Sequence, residues 1–275
     1  MNYIARASDE PVGGQQKKGS EVESFSGEQM LRIWVFAMIA VGLVAGIATG
    51  YFKARKIQPN GFKWKRFGVE ALVAAFTLGV SGVVLGGLNT YLVKHGWIAF
   101  KTETPAFWQI AFEYALYFVL FDTWFYWLHR LMHIEPFYAW IHKLHHKSTS
   151  PNMLTTLSET PFEAFINGGF VPLFLTVFTV HDATAALILP TNIVMGVYVH
   201  SGYEFFPRWW NKSWATKWFI TATFHDQHHR YFTGNFGGYT TVWDRLCGTM
   251  RPKFEADFDK LKARTATART ASADA

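Results

Sequence analysis

Eight of the eleven histidines stand in three short groups, and imidazole is the side chain that proteins use most often to bind zinc, copper, iron and nickel. The first group has the spacing HxxxH and the other two have HxxHH. Residues three and four apart share a helix face, so each group presents at least two ring nitrogens to one point. Eight ligands are too many for one ion and predict two neighbouring metals, each with a position left for oxygen or substrate. The predicted ligands are His129, His133, His142, His145, His146, His225, His228 and His229.

Carboxylates close to these groups are candidates to support the ligands. Asp122 lies on one helical stripe with Tyr126, His129 and His133, inside a segment predicted to cross a membrane. A carboxylate there is costly without a partner, and metal-bound histidines usually donate their second N–H to an acceptor. We therefore predict that Asp122 orients a ligand imidazole. The alternative is a bond to a nearby tryptophan or tyrosine.

Other candidates carry weaker versions of the same argument. Asp226 lies inside the last histidine group, and Glu159 precedes an apolar segment. His200 ends a predicted span at the depth of the other groups, so it is either a ninth ligand or a simple interfacial histidine. His95 and His181 fall at the opposite membrane surface, and we exclude both from the metal site.

The elements that position these residues are predicted to be membrane helices. Half of the residues are apolar and 18% are aromatic, and the apolar residues form long blocks. A helix needs about 20 apolar residues to cross the hydrocarbon core. Residues 162–180 and 183–199 form a predicted helical hairpin in which Pro172 and Pro190 introduce kinks. The predicted fold is an all-α integral membrane protein with about four transmembrane helices, give or take one, and a cytoplasmic helical cap that holds the dimetal site. The predicted spans are residues 31–51, 69–93, 105–128, 162–180 and 183–199.

Loop charges predict the orientation. Residues 52–66 contain six lysines and arginines and no acid, so this loop is expected on the cytoplasmic side. Counting spans from there places all three histidine groups on the same face. Residues 1–29 are predicted to be disordered, residues 30–255 to form the membrane-embedded domain, and residues 256–275 to be a flexible tail. The net charge of +6 fits loops that lie against anionic head groups, and no nucleic-acid-binding motif is present.

The segments HRLMH, HKLHHKSTSPN, HSGYEFFP and FHDQHHRYFTGNFGGYTTVWDRLCGT resemble the fatty acid hydroxylase/sterol desaturase superfamily, over roughly residues 121–249. Its members are integral membrane non-haem di-iron oxidoreductases that use O2 and two electrons to hydroxylate or desaturate lipids. The resemblance implies that the eight histidines bind two iron ions, with zinc possible in purified protein, and that His200 matches a further histidine near the metals. Gly196 departs from the ceramide-type hydroxylases, which carry a histidine four residues before that one.

The resemblance also implies partners. The substrate is expected to be a membrane lipid, either a fatty acyl lipid or a sterol-like molecule, and the co-substrate O2. The sequence carries no dinucleotide, flavin or haem-binding motif, so electrons are expected from a separate ferredoxin or cytochrome b5-like protein with its NAD(P)H reductase. The short chain without a fused cytochrome b5 domain favours a bacterial enzyme of the inner membrane.

Two other function classes also use clustered histidines to bind a metal. A membrane zinc protease is disfavoured because HExxH is absent. The remaining alternative is a non-catalytic or transport protein that uses the histidines for structural or transported zinc. Imidazole accepts both metals, and the intrinsic affinity for zinc exceeds that for Fe(II).

Overall fold

The computed structural model describes residue 37 and residues 55–273. Within these residues the chain is helical and contains no β-strand, only three isolated backbone bridges between loops. Between Met132 and Pro161 lie one turn of π-helix, Tyr138–His142, and two 3₁₀ turns, His145–Lys147 and Met153–Leu157. The helices are α1 (Trp64–Lys94), α2 (Phe107–Met132), α3 (Pro161–Gly168), α4 (Phe170–Val177), α5 (Asp182–His200), α6 (Ala222–Tyr231), α7 (Val242–Leu246) and α8 (Phe254–Ala273).

Two of these helices, α1 and α5, are long and apolar enough to cross a membrane. α1 buries only a narrow stripe, formed by Glu70, Ala74 and Thr77 at helical spacing. Its remaining faces expose large apolar side chains such as Leu72 and Phe76, as expected of a helix that faces lipid. The apolar pair α3 and α4 is shorter, and α2 is aromatic-rich and carries Glu113 and Asp122.

Four of the predicted spans coincide with helical segments within a few residues, and two of these segments, α1 and α5, are candidate membrane spans. The second and third span correspond to α1 and α2, and the hairpin corresponds to α3 and α4 followed by α5. The first predicted span, residues 31–51, lies outside the described residues apart from Ala37. The first hairpin arm is interrupted at Gly168 and Gly169, not at Pro172, because two glycines in succession disfavour a helix whereas Pro172 sits in the first turn of α4. Pro190 lies inside α5.

Helix ends gather at two opposite poles of the molecule. One pole joins the start of α1 to the ends of α2 and α5, where His129 and His200 lie. The other pole joins the start of α2 to the residue before α5, where His181 donates to Glu113 over 2.9 Å. Lys101 donates to the same carboxylate over 2.9 Å.

Two apolar clusters support the histidine pole. The larger cluster lies between α2, α4 and α5 and includes Tyr117, Phe121 and Phe174. The smaller joins α5 and α6 to α8 through Phe224, Phe254 and Phe258. Residues expected in the flexible tail from 256 onward are therefore helical to Ala273, because Phe258 and Leu261 are buried beside α6.

Candidate metal centre

Nine histidines converge at one pole and form two groups. Within each group the candidate ligand atoms lie within 4.8 Å of one another. All eight histidines of the three sequence motifs are included, and His200 is the ninth. The five-histidine group comprises His129, His133, His142, His146 and His228, and the four-histidine group comprises His145, His200, His225 and His229.

The distances between ring nitrogens fit a metal centre. In the five-histidine group, Nε2 of His146 lies 2.9 Å from that of His142 and 3.0 Å from that of His228. In the four-histidine group, Nε2 of His225 lies 2.9 Å from that of His200 and 3.1 Å from that of His229. Ligands bonded at about 2.0–2.1 Å to one ion stand about 2.9–3.3 Å apart in octahedral to tetrahedral geometry. The donor set and its spacing therefore fit iron or zinc.

The two HxxHH motifs serve both groups, with opposite assignments. In the first motif, His142 and His146 join the five-histidine group and His145 turns to the other. In the second motif, His225 and His229 join the four-histidine group and His228 turns to the other. In each adjacent pair, His145–His146 and His228–His229, the two rings join different groups. Both members point inward because each motif lies between the two groups, the first on π and 3₁₀ turns and the second on α6.

Backbone carbonyls fix the protonation of several rings. Nδ1 of His129 lies 2.8 Å from the carbonyl oxygen of Phe236, and Nδ1 of His228 lies 2.9 Å from that of Gly234. Nδ1 of His229 lies 3.1 Å from a third carbonyl, that of Ser148. A carbonyl can only accept, so each Nδ1 carries the hydrogen and each Nε2 presents a lone pair to its group.

Asp122 does not orient a ligand imidazole as predicted. Its carboxylate accepts from the backbone N–H groups of Tyr239 and Thr240 over 2.8 and 2.9 Å, and from the Thr240 hydroxyl. The reason is distance, since Asp122 precedes His129 by two helical turns, about 10 Å along α2. Asp122 acts indirectly by anchoring the loop that supplies the Phe236 and Gly234 carbonyls.

Asp244 anchors the same loop from its other side. Its carboxylate accepts from the backbone N–H groups of Phe236 and Gly237 over 2.9 and 2.7 Å. Gly234 adopts a φ of +77°, and a Cβ there would stand 2.3 Å from the Thr249 carbonyl oxygen. The loop therefore closes tightly beneath the five-histidine group.

Glu163 is the carboxylate that contacts a candidate ligand, and the sequence analysis missed it. Its Oε1 lies 2.6 Å from Nδ1 of His142, and both side chains are buried. The signal was available, because Glu163 is an acid inside an apolar segment, which is the argument applied to Asp122.

The two weaker acidic candidates have other partners. Gln58 donates to both oxygens of Asp226 over 3.1 Å, and Asn167 donates to Glu159 over 3.3 Å. Neither carboxylate contacts a histidine within the described part of the chain. His95 and His181 lie outside both groups, as predicted.

Burial keeps the histidines neutral. Burial, reinforced by neighbouring imidazoles, lowers the pKa of His142, His145, His225, His228 and His229 well below 6.5. These rings are therefore uncharged at pH 7, which is the form that binds metals.

The histidine motifs lie in a region that is similar to known proteins. Residues 114–249 match the fatty acid hydroxylase family, a stretch that contains all nine histidines and the loop anchored by Asp122 and Asp244. The C-4 methylsterol oxidase erg25 of Schizosaccharomyces pombe is 31% identical, over 78% of this chain and 76% of the relative. The chain belongs to the fatty acid hydroxylase family.

Two further relatives have shorter alignments. The methylsterol monooxygenase erg25A of Aspergillus fumigatus is 34% identical over 60% of this chain and 57% of its own length. Human cholesterol 25-hydroxylase is 34% identical over 48% of this chain and 49% of its own length. These two alignments span about half of each relative. No solved structure matches the chain. Family membership and the two apolar helices identify a membrane protein.

Gly196 lies at a close contact between α5 and the turn before α3. A Cβ at this position would stand 2.7 Å from Oγ1 of Thr156, so α5 packs closely against the 3₁₀ turn Met153–Leu157. The Gly196 carbonyl oxygen lies 2.8 Å from Nδ1 of His200. A histidine side chain has no room here, and the backbone of Gly196 instead serves as an acceptor for His200.

Proposed function

We propose that the protein is a membrane-bound, O2-dependent di-iron oxidoreductase that hydroxylates or desaturates a C–H bond of a lipid. The observation that carries this proposal is the convergence of nine histidines, eight of them buried and His133 partly buried, into two groups with ligand spacing. Breaking an unactivated C–H bond is beyond any side chain, so a cofactor must supply the oxidising power. Two bound iron ions would supply the electrons that activate O2 and the oxidising strength that removes hydrogen.

The nine histidines are the proposed ligands, five for one ion and four for the other. The surrounding residues hold the rings and exclude water. The carbonyls of Phe236, Gly234 and Ser148 keep hydrogen on Nδ1, and Glu163 does the same for His142. The exposed fraction of the ligand rings supports a dry site, since His228 and His229 are both 0% exposed.

The membrane arrangement is proposed to include four transmembrane helices, with the metal centre on the cytoplasmic face. Support comes from the apolar helices α1 and α5 and from the basic residues 52–66 before α1. The relatives reported above are eukaryotic and do not support the bacterial inner membrane expected from the sequence.

The proposed substrate is a membrane lipid, because the matching relatives are named for methylsterols and cholesterol. A separate acidic electron donor is proposed to dock on basic side chains beside the histidine motifs. Lys143, Lys147 and Arg230 are exposed and flank His142, His146 and His229.

Exchange of Lys143, Lys147 and Arg230 for glutamine should slow electron transfer from an acidic donor, because surface charges steer association. The measurement is the rate of donor oxidation as a function of salt, and the salt dependence should become weaker. An unchanged salt dependence would show that the donor binds elsewhere.

The reaction is tested by mass spectrometry of lipids from cells that express the protein, or its His145→Ala variant, under 18O2. Gain of one heavy oxygen only with the intact protein identifies a hydroxylase, and loss of two hydrogens without label identifies a desaturase. Metal analysis of the purified protein distinguishes iron from zinc. If neither product forms while a competent donor is present and zinc fills the centre, the structural or transport function for zinc takes precedence.

A further inference from the structure

A pocket opens beside the four-histidine group, between the loop before α1, the segment that follows His146, and the residues after α5. Its volume is about 60 Å³, and it opens to solvent. One water needs about 10–15 Å³ by the same measure, so the pocket has room for a few waters or for one phosphate-sized group, and not for a whole lipid. The pocket is not used by any step of the proposed reaction.

The charge of the lining is predominantly positive. Lys56, Lys63 and Arg66 line the pocket, and Asp226 is the acid among its described lining residues. Arg66 is paired with Glu70 over 2.8 Å, so the two lysines carry the positive charge that faces the pocket. Both oxygens of Asp226 already accept from Gln58. Lys63 has no acidic partner within the described part of the chain, so its charge is available to a ligand. The positive charge of the lining therefore favours the binding of an anionic group.

The lining also has an apolar side. Phe62 and Phe67 contact each other with ring centroids 5.2 Å apart, and Met153 completes this wall. Cationic and apolar surfaces within one pocket match an amphipathic ligand with an anionic end. Basic pockets between membrane helices on the cytoplasmic side bind phosphate-bearing lipid headgroups.

Two residues that line the pocket are sequence neighbours of candidate metal ligands. Ser201 and Asp226 line it, and they directly follow His200 and His225 of the four-histidine group. We propose that this pocket binds the phosphate headgroup of an anionic membrane phospholipid and holds that lipid beside the four-histidine group. The proposal goes beyond the proposed function, because binding here requires neither bound metal nor turnover.

The test compares lipid binding to the full chain in detergent by native mass spectrometry. The probes are phosphatidylglycerol, phosphatidylcholine with the same acyl chains, and inorganic phosphate alone. The pocket variant is Lys56→Gln with Lys63→Gln. The matched control is Lys65→Gln with Lys94→Gln, which removes the same charge outside the pocket lining. Melting temperatures check that both variants fold.

We expect the wild type and the control to prefer phosphatidylglycerol, and the pocket variant to lose about 30-fold in affinity, or roughly fivefold per lysine. The preference for phosphatidylglycerol over phosphatidylcholine should persist in metal-free protein and in protein without activity. It is therefore tested independently of the proposed reaction. Equal affinity for the two lipids, or equal weakening in both variants, would overturn the proposal. Inorganic phosphate that binds as tightly as the lipid would reduce the pocket to a free-anion site.

Discussion

At the scale of single residues, the two HxxHH motifs divide their histidines between two groups. His145 belongs to the four-histidine group and His228 to the five-histidine group, although each has a neighbour in the other. The spacing alone indicated eight candidate ligands and left His200 open. The division between ions could not be predicted, because it depends on which side of each group the backbone passes.

His145→Ala and His228→Ala should each leave at most one bound ion per chain in place of two, with loss of activity. Each substitution removes one ligand from a different group. Plasma emission spectrometry of the purified variants measures the metal content. His95→Ala is the control, since His95 lies at the opposite pole, and it should retain both ions. Equal loss in all three would indicate general misfolding.

Glu163→Gln should weaken metal binding by about 10- to 100-fold, the usual effect of removing a partner that orients a ligand. The glutamine cannot supply the carboxylate charge that holds Nδ1 of His142. Competition with a chelator measures the affinity. The matched control is Glu113→Gln, because Glu113 is another buried acid that binds a histidine. That histidine is His181, at the pole opposite the metal centre. The prediction fails if both variants lose affinity equally.

The acids also show where sequence reasoning stops at this scale. Asp122 and Glu163 both occupy apolar segments, and both are buried. The sequence flags such residues as candidates but does not reveal which one reaches a histidine. Asp122 is directed at a loop more than 100 residues later, and no local pattern encodes that contact.

At the scale of elements, residues 234–241 form a loop whose carbonyls position His129 and His228. Gly234→Ala should destabilise the protein, because φ of +77° costs a non-glycine residue about 1–2 kcal/mol and the added carbon would overlap the Thr249 carbonyl. The metal content should fall as well. Gly96→Ala provides the control.

Gly96 has a similar φ of +74°, but a Cβ there would meet nothing within 4 Å. Thermal unfolding in detergent should therefore show a larger loss for Gly234→Ala than for Gly96→Ala. Equal losses would assign the whole effect to backbone strain and none to loop closure.

Hydropathy predicted the long elements well, because α1, α2 and α5 are apolar over most of their length. It did not predict the π and 3₁₀ turns that carry His142, His145 and His146, since their geometry follows from tertiary contacts around the metal groups. For the last helix, α8, the sequence indicated only a flexible tail from residue 256. Its composition is polar, and it is held by a few buried side chains such as Phe254 and Phe258.

At the scale of the whole molecule, the buried histidines make the metal-free protein sensitive to acid. Their folded pKa values lie below the unfolded value of about 6.5, so below that pH the unfolded chain binds more protons than the folded chain. Stability should fall as the pH drops below 6.5, and each such histidine contributes at most about 1.4 kcal/mol per pH unit.

Denaturation of the metal-free protein in detergent between pH 8 and pH 5 measures this effect. His145→Ala removes one of the buried histidines, so its stability should depend less steeply on pH than that of the wild type. A flat profile for the wild type would mean that the histidines are already solvated when metal is absent.

The shared motifs also couple the filling of the two groups. His145 and His146 are joined by one peptide bond, as are His228 and His229, and each pair reaches both groups. In the proposed di-iron centre, the ion that binds first would order the backbone that the other ion needs, so the entropic cost of ordering would fall on the first binding event. Filling of the two groups should therefore be cooperative, with few half-filled centres. When iron is limiting in a cell, the supply would then be concentrated in fewer, complete centres.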